Sequence, residues 1–226
     1  MRGCFVTGTD TGVGKSVLTA AIVASLRAHQ IPLRAVKPVI TGLDEAPDPV
    51  WPRDHELLAR MAGARAQDTM LVGYGPPVSP HLAAALADRP LELEPLVAGI
   101  RAGVDPGTAL IVEGVGGLLV PLSDSSDVRD LAAALELPVV IAARPGLGTI
   151  NHTLLTLEAA RSRGLEVVGV VLTPWPERPS VLERSNHETI AGLGHVEVAT
   201  LEFVAGPEPE VLAAAAADLP LARWLH

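Results

Sequence analysis

The stretch TGTDTGVGKS, residues 7–16, is a near match to a phosphate-binding loop, and it decides how the rest of the chain is interpreted. The usual loop has the pattern G-x-x-x-x-G-K-[ST]. That spacing would put the first glycine at position 9, where this chain has Thr9, and the glycine lies one place earlier, at Gly8. The displacement leaves Asp10 and Thr11 inside the loop together with Thr9. Their side chains either reach a phosphate or a second substrate, or Asp10 and Thr11 only shape the turn.

The surroundings of this loop are those of a nucleotide site. A short apolar run at residues 4–7 predicts a strand, and helical spacing from residue 17 predicts a helix that begins near Lys15. In this arrangement backbone N–H groups and the positive end of the helix point at an anion. Lys15 then supplies a cation for the β- and γ-phosphates, and Ser16 supplies a hydroxyl for Mg²⁺. The loop residues predicted to bind the nucleotide are Gly12, Val13, Gly14, Lys15, Ser16 and Val17.

The rest of the chain alternates strand-like and helix-like segments. Apolar runs predict further strands at residues 33–37, 109–113, 139–143, 166–172 and 196–200. Helical spacing predicts helices at residues 17–27, 55–62, 93–101, 128–135, 154–161, 181–191 and 210–218. The strand runs lack strict alternation of apolar and polar residues, as is typical of parallel strands that are covered on both faces. We therefore predict an α/β fold, a single P-loop NTPase-like domain over residues 1–226, with a mainly parallel sheet and helices on both faces.

Composition narrows the classes of function. The formal net charge of −9 over 226 residues argues against binding to nucleic acid or to an anionic membrane, because such partners need a basic surface. The one cysteine, Cys4, cannot form a disulfide within the chain, so a reducing compartment is expected. No apolar run approaches the roughly 20 residues of a membrane helix. The sequence thus predicts a cytoplasmic protein with no nucleic-acid or membrane partner.

Three polar residues fall at positions where a parallel sheet binds ligands. Glu113 ends the run at residues 109–113, before a glycine-rich turn, and is either a Mg²⁺-holding acid of a P-loop protein or an exposed acid in a tight turn. Lys37 ends the run at residues 33–37 and either points into the site or is solvated. Asp54 is either a second metal carboxylate or the cap of the helix that follows it.

Two irregular segments are also candidates for function. Residues 40–54 form a long stretch with three prolines, and loops of this length in compact domains are usually functional or disordered. The segment GTINH, residues 148–152, opens a helix after the strand at residues 139–143. Its free N–H groups either hold a carboxylate, or its polar residues occupy the first turn without a ligand.

Taken together, these motifs closely resemble the dethiobiotin synthetase family. The matching segments are FVTGTDTGVGKS, KPVITG, the segment around Asp54, SPHLAA, VEGVGGLLVPLSD and LGTINHTLLTLEA. They occur in the family's order between residue 5 and about residue 170, and the last 50 residues match poorly. The variant loop T-G-T-D-T-x-V-G-K-[ST] is specific to this family and its near relatives.

The resemblance implies an ATP- and Mg²⁺-dependent ligase that closes a cyclic urea. In the family, one amine of 7,8-diaminopelargonate takes up CO₂ as a carbamate, the carbamate attacks the γ-phosphate of ATP, and the other amine closes the ring with loss of phosphate. The family pocket lies at a homodimer interface. The resemblance implies catalytic roles for Thr11, Lys15 and Lys37, metal ligation by Ser16, Asp54 and Glu113, nucleotide contact by Glu113, substrate contacts by Thr41, Ser79, Pro80 and Gly116, and binding of the substrate carboxylate across the dimer by Gly148, Thr149, Ile150 and Asn151.

The nucleobase region departs from the family pattern. Many members carry an Asn after the strand that matches residues 168–172, and its amide reads the adenine edge. This chain has Thr173, Pro174 and Trp175 there, so Thr173 and Pro174 are the predicted nucleotide contacts. Trp175 either stacks on the base or packs on the surface. We predict weaker discrimination between ATP and other nucleoside triphosphates than an Asn would provide.

Two other functions are compatible with the same architecture. A P-loop small-molecule kinase would more often carry a lid and several arginines. A partition-type ATPase switch carries an additional lysine near the start of the loop, where this chain has Thr9 and Asp10. Switches of this type often have a basic or amphipathic surface as well, which the net charge disfavours.

Overall fold

The structure is a computed structural model and describes residues 2–225. The strands are β1 (Gly3–Gly8), β2 (Leu33–Ile40), β3 (Met70–Gly73), β4 (Ala109–Glu113), β5 (Val139–Ala143), β6 (Val167–Trp175) and β7 (Val198–Glu202). The helices are α1 (Lys15–Ala28), α2 (Asp54–Ala62), α3 (Ala66–Thr69), α4 (Pro80–Leu86), α5 (Leu93–Arg101), α6 (Val128–Leu135), α7 (Thr149–Ser162), α8 (Val181–Gly194), α9 (Pro209–Ala215) and α10 (Leu221–Trp224). Over the described residues the seven strands form one sheet in the order β3-β2-β4-β1-β5-β6-β7, and each neighbouring pair is parallel.

The sheet separates two apolar cores, and successive residues of β1 point into opposite ones. Cys4 and Val6 belong to the core beneath α1 and α2, which also receives side chains from the C-terminal segment. Phe5 belongs to the core beneath α4 to α8. Because side chains alternate across a strand, a strand between two cores must be apolar at consecutive positions. This arrangement confirms the predicted α/β fold with helices on both faces.

The central strands and helices agree well with the sequence-based prediction, and the edges of the fold agree less well. The strands at Ala109–Glu113 and Val139–Ala143 and the helices at Leu93–Arg101 and Val128–Leu135 have their predicted bounds. The prediction missed β3, which is only four residues long and lies at the edge of the sheet, so it carries little apolar signal.

Strand β2 continues three residues beyond its predicted end at Lys37. Its pairing with β4 ends at the pair of Val36 and Val112, and beyond that point β2 pairs only with the edge strand β3. Pro38, which has no backbone N–H to donate, lies in this second part. Lys37 is therefore inside a strand, and the prediction that it ends the strand is wrong.

The apolar packing also settles the environment of the cysteine. Cys4 is fully buried, as expected for a core residue, and burial raises the pKa of its thiol to about 12. None of the helices in residues 2–225 combines the length and the apolar character needed to cross a membrane.

Candidate active site in the cleft above β1, β2 and β4

The loop between β1 and α1 adopts an anion-binding conformation. Gly12 and Gly14 have φ angles of +69° and +94°, which is the left-handed region that glycine adopts without strain. Gly14 is the N-cap of α1, and its carbonyl accepts the N–H of Leu18 at 3.0 Å. The amides before Leu18 therefore lie in the first turn, where a helix leaves its N–H groups without helical partners. The loop presents these donors and the positive helix end to an anion.

The displaced glycine of the loop has a packing role. A Cβ atom at Gly8 would lie 2.7 Å from Cγ2 of Val13 and 3.0 Å from Cδ of Lys15. Position 8 therefore supports the inner side of the loop, and a side chain there would push Val13 and Lys15 out of place. Position 9 accommodates a side chain, since Thr9 is present there and is partly exposed. The early glycine thus belongs to a variant loop with its own close contacts.

The lysine of the loop is folded back onto the loop itself. Lys15 Nζ donates to the carbonyl of Asp10 at 2.7 Å, and the side chain is buried. The carboxylate of Asp10 accepts the N–H of Thr11 at 2.7 Å, so Asp10 does shape the turn. Both Asp10 and Thr11 are exposed, and Thr11 lines the cleft described below.

A buried charge network lies next to the loop. Lys37 Nζ contacts Glu113 Oε1 at 2.5 Å and Asp54 Oδ2 at 2.9 Å, and it donates to the carbonyl of Gly114 at 3.0 Å. Ser16 Oγ donates to the same Glu113 oxygen at 2.8 Å. Glu113 is fully buried, whereas the side chain of Asp54 is 41% exposed. Strands β2 and β4 and helices α1 and α2 thus bring four predicted site residues together.

This network excludes three of the alternatives that the sequence left open. Glu113 is not an exposed acid, and Lys37 is not a solvated strand-end lysine, because both side chains are buried. Asp54 is not the cap of the helix, because Arg53 occupies the N-cap position and Asp54 is the first helical residue. Asp54 instead lines the cleft with its partly exposed side chain.

The two lysines have opposite pKa shifts. Burial, with added repulsion from Lys37, lowers the pKa of Lys15 to about 8. Burial works against the charge of Lys37 as well, but Asp54 and Glu113 together outweigh it and raise the Lys37 pKa above its ordinary value. Burial also raises the pKa of Glu113, although the Lys37 ammonium opposes that shift. Lys37 is therefore a permanent positive centre, and Lys15 is a cation that an anionic ligand would stabilise.

A cleft of about 690 Å³ opens over the loop and the charge network. Its walls come from the loop, the end of β2, the segment before α4 and the turn after β4. The predicted site residues that line it are Thr11, Gly12, Gly14, Lys15, Ser16, Val17, Lys37, Thr41, Asp54, Ser79, Pro80 and Gly116. Gly116 has a φ angle of +62°, and a Cβ there would lie 3.5 Å from Thr11 Oγ1, so these two residues face each other across the cleft wall.

The other predicted site residues lie outside the cleft lining. Val13 is buried behind the loop, and Glu113 lies below the cleft floor. Thr173, at the end of β6, borders the loop from another side, since a Cβ at Gly14 would lie 2.8 Å from Thr173 Cγ2. Pro174 is the exposed residue that follows it.

The GTIN segment does not belong to the cleft of its own chain. Gly148 is the N-cap of α7, Thr149 is buried, and Asn151 is exposed in the first turn. Of residues 2–225, the cleft lining includes none of the four residues 148–151. The neighbouring Leu147 is 93% exposed, which is unusual for a leucine.

Two residues at the site were missed by the sequence analysis. Arg144 follows β5 directly, and its Nη2 donates to the carbonyl of Gly12 at 3.2 Å. Because the C=O and N–H of a trans peptide point in opposite directions, this bond turns the N–H of Val13 toward the anion side of the loop. A basic residue at a strand end was the available signal. Glu45, in the loop after β2, lines the cleft and had no motif to mark it.

The oxygen ligands near the loop fit a magnesium ion. Ser16, Asp54 and Glu113 provide only hard oxygen donors, and Oε2 of Glu113 is buried with no hydrogen-bond partner among the described residues. Residues 2–225 contain no group of three or more His, Cys, Asp or Glu side chains suited to holding a metal. A site with two carboxylates is adequate for Mg²⁺, which usually takes its other ligands from water and phosphate.

The chain is similar to known proteins in sequence and in fold. A family model described as "AAA domain" matches residues 2–203. The "ATP-dependent dethiobiotin synthetase BioD" of Anaeromyxobacter sp. (strain Fw109-5) is 41% identical over 207 residues, which is 87% of this chain and 91% of that protein. The protein of the same name from Mycobacterium avium (strain 104) is 41% identical over 218 residues, 94% of each chain. The chain belongs to the dethiobiotin synthetase family.

The similarity to dethiobiotin synthetases extends beyond residues 5–170, where the motifs lie, because it covers 94% of the chain in the mycobacterial comparison. Among solved structures, a ParA family ATPase from Chlorobium tepidum TLS superposes with a TM-score of 0.53 at 10% identity, covering 99% of this chain and 94% of that one. This likeness confirms the P-loop NTPase fold, and at such low identity it shows the fold alone.

Proposed function

We propose that this chain catalyses the ATP-dependent formation of dethiobiotin from 7,8-diaminopelargonate and CO₂, and that the cleft of about 690 Å³ is its active site. The observation that carries the proposal is the meeting of the variant loop and Lys37 in one cleft, directly above the buried Glu113, in a chain 41% identical to an ATP-dependent dethiobiotin synthetase over nearly its whole length. The chain is accordingly a ligase with ATP as co-substrate and Mg²⁺ as the usual metal of such enzymes.

The reaction needs concentrated positive charge. A carbamate anion must approach a triphosphate that already carries several negative charges, so cations must neutralise both reactants in the transition state. Lys37 suits the carbamate side, since Asp54 and Glu113 hold it protonated and in place. Lys15 suits the phosphate side, where it would exchange the Asp10 carbonyl for a phosphate oxygen. Bound at Ser16, Asp54 and Glu113, Mg²⁺ would supply further neutralisation of the phosphate charge.

The chain's other contribution is to hold the reactants in line. The amine nitrogen forms a bond to the carbon of CO₂ and loses a proton, which gives the carbamate. A carbamate oxygen then attacks the γ-phosphorus and ADP leaves, which gives a mixed anhydride. The second amine, in its neutral form, attacks the carbonyl carbon, and the ring closes as the proton of this amine and the phosphate leave together as hydrogen phosphate. Positioning of this kind can supply a large part of the rate enhancement.

The cleft walls suggest how each residue assists. Thr11 faces Gly116 and can donate its hydroxyl to a carbamate oxygen, while the missing side chain of Gly116 lets the substrate approach the backbone. Thr41, at the end of β2, and Ser79 and Pro80, at the start of α4, line the cleft where the diamine carbon chain would lie.

We further propose that residues 1–226 form one catalytic domain and that two copies assemble as a homodimer with a shared site. In each protomer the N-terminal end of α7 would bind the carboxylate tail of the substrate held by the other protomer. The exposed Leu147 and Asn151 beside this helix end support an interface there. We place the reaction in the cytoplasm, where ATP is available and the free thiol of Cys4 stays reduced.

The dimer assignment is tested by substituting Asn151→Phe. The expected result is a roughly tenfold higher KM for the diamine with a much smaller change in the KM for ATP, because a bulky side chain would obstruct only the tail site. Glu158→Phe, two turns further along α7 and equally exposed, is the matched control. Unchanged diamine kinetics in the Asn151 variant would exclude this role.

The function itself is tested by phosphate release from ATP in the presence of Mg²⁺. Release that requires both the diamine and bicarbonate supports the proposal. Release that ignores the diamine would indicate a partition-type switch, and transfer of phosphate to another small molecule would indicate a kinase. Either of these outcomes would overturn the proposed function.

A further inference from the structure

One carboxylate in the cleft has no part in the chemistry described so far. Glu45 lies in the loop between β2 and α2 and lines the cleft together with Thr41 and Lys37. The loop spans residues 41–53, which contain neither helix nor strand.

The position of Glu45 is well determined by its backbone contacts. Its N–H donates to the carbonyl of Gly42 at 3.1 Å, which closes a turn, and Gly42 has a φ angle of +83°. Arg53 then ties the turn to the start of α2, because its Nη2 donates to the carbonyls of Leu43 and Glu45, each at 2.8 Å. A loop with these restraints can hold a side chain at a constant place in the cleft.

The side chain of Glu45 lies in the part of the cleft proposed above for the diamine carbon chain. Oε2 of Glu45 lies 2.9 Å from where a Cβ of Gly42 would be, and Cβ of Pro77 lies 3.5 Å from the same point. Pro77 precedes Ser79 by two residues, so Glu45 and the Ser79 wall adjoin. The preceding acid, Asp44, takes another direction, since its carboxylate lies against Gly75 and it is not part of the cleft lining within residues 2–225.

Glu45 is also the acid of the cleft that is not committed to a lysine. Asp54 is paired with Lys37, and Glu113 is paired with it below the floor. Over residues 2–225, the carboxylate of Glu45 has no cationic nitrogen within 4 Å. The exposed carboxylate of Glu45 is therefore available to a cationic ligand in the cleft.

The substrate class of the proposed function supplies such a cation. Two amines on adjacent carbons cannot both be fully protonated near neutral pH, because each positive charge disfavours the other. One nitrogen therefore carries the proton, and the other is free to attack CO₂. We infer that Glu45 binds the ammonium nitrogen of the diamine and so leaves the second nitrogen neutral for carboxylation, an inference that rests on the proposed function.

The test compares Glu45→Gln, which removes the charge and keeps the shape, with Glu45→Asp and with the matched control Asp44→Asn. We expect Glu45→Gln to raise the KM for the diamine about tenfold while the KM for ATP changes less than twofold. Glu45→Asp should recover part of the loss, and Asp44→Asn should behave as the unsubstituted protein. An unchanged diamine KM in Glu45→Gln overturns the inference.

Two monoamine analogues, each lacking one of the two amines, identify the contact directly. Their inhibition constants against the diamine are measured for the unsubstituted protein and for Glu45→Gln. Loss of affinity for one analogue and not for the other supports the inference, whereas equal loss for both would show only a disturbed loop and would overturn it. The difference between the two proteins should also shrink as rising pH removes the proton from the diamine.

The outcome for the unsubstituted protein separates this inference from the function on which it rests. If that protein releases no phosphate in response to the diamine and bicarbonate, the proposed function fails. If it does so and Glu45→Gln is equally active at low diamine concentration, only the role of Glu45 fails.

Discussion

The two carboxylates that share the Lys37 ammonium differ in exposure, and this difference predicts a large difference in their contributions to stability. Glu113 is fully buried, whereas the Asp54 side chain is 41% exposed. Replacing Glu113 by Gln leaves a buried ammonium with Asp54 and the Gly114 carbonyl as its remaining partners. Removing one partner of a buried ion pair costs about 3 to 5 kcal/mol, and the remaining contacts suggest the lower end, about 3 kcal/mol.

The same reasoning assigns a smaller cost to Asp54→Asn. Water reaches the Asp54 carboxylate, although not the Lys37 ammonium, so the expected cost lies closer to the value of about 1 kcal/mol for solvent-exposed pairs than to that for buried pairs. The two substitutions remove the same charge from the same ammonium, so each is a control for the other. The difference of about 2 kcal/mol corresponds to roughly a 30-fold change in the folding equilibrium.

The assay is urea denaturation at pH 8 without Mg²⁺ or nucleotide, with thermal melts as a second measure. Glu113→Gln should lower the melting temperature by roughly 6 to 12 °C at this chain length. The double variant Lys37→Met with Glu113→Gln should cost much less than the sum of the two single variants, because no unpaired buried charge remains. Additive costs, or an Asp54→Asn cost equal to that of Glu113→Gln, would refute the reasoning.

Three further predictions concern the core, the loop and the nucleobase. With a Cys4 pKa of about 12, roughly one part in ten thousand of the thiol is ionised at pH 8. Ellman's reagent should therefore label Cys4 only in denaturant, and rapid labelling of the folded protein would contradict this. Since that pKa is raised in the folded state, its contribution to stability is complete below the unfolded thiol pKa near 9 and is lost as pH rises toward 12. Arg144→Ala should raise the KM for ATP about fivefold with little change in kcat, because it removes the hydrogen bond to the Gly12 carbonyl. Arg144→Lys should restore part of the affinity. A fall in kcat as large as the rise in KM would instead indicate general disruption of the site. Competition among ATP, GTP and CTP should show nucleotide preferences within about tenfold, since Thr173 and Pro174 have no side-chain amide that could hydrogen-bond the base. A strict preference for ATP would contradict this prediction.

The structure also narrows the role left open for Trp175. Its ring is half-buried and meets His187 edge-on, with ring centroids 6.0 Å apart. Trp175 therefore packs against α8 through His187. Stacking of its exposed part on a nucleobase remains a prediction. Trp175→Ala should raise the KM for each nucleotide by a similar factor if it stacks, because every base has a stacking face.

Much of the fold was predictable because its signals are local. A strand between two cores must be apolar at consecutive positions, and the runs at Ala109–Glu113 and Val139–Ala143 show this directly. The short edge strand Met70–Gly73 was missed, since a half-exposed strand of four residues has no such requirement. The predicted end of β2 at Lys37 is wrong because β2 continues past Pro38 by pairing with the edge strand β3 alone. This change of pairing partner is not visible in the sequence.

The sequence by itself predicted a phosphate-binding loop with Lys15 and Ser16, because a glycine turn followed by a helix start is a local arrangement of neighbouring residues. Only the tertiary structure decided which charges meet. Residues 37, 54 and 113 are separated in the chain. The pairing of β2 with β4 brings Glu113 to Lys37, the packing of α2 brings Asp54 there, and each carboxylate lies within 3 Å of Lys37 Nζ. The early Gly8 belongs to both levels: its displacement is visible in the sequence, but the reason, close contact with Val13 and Lys15, is visible only in the folded loop.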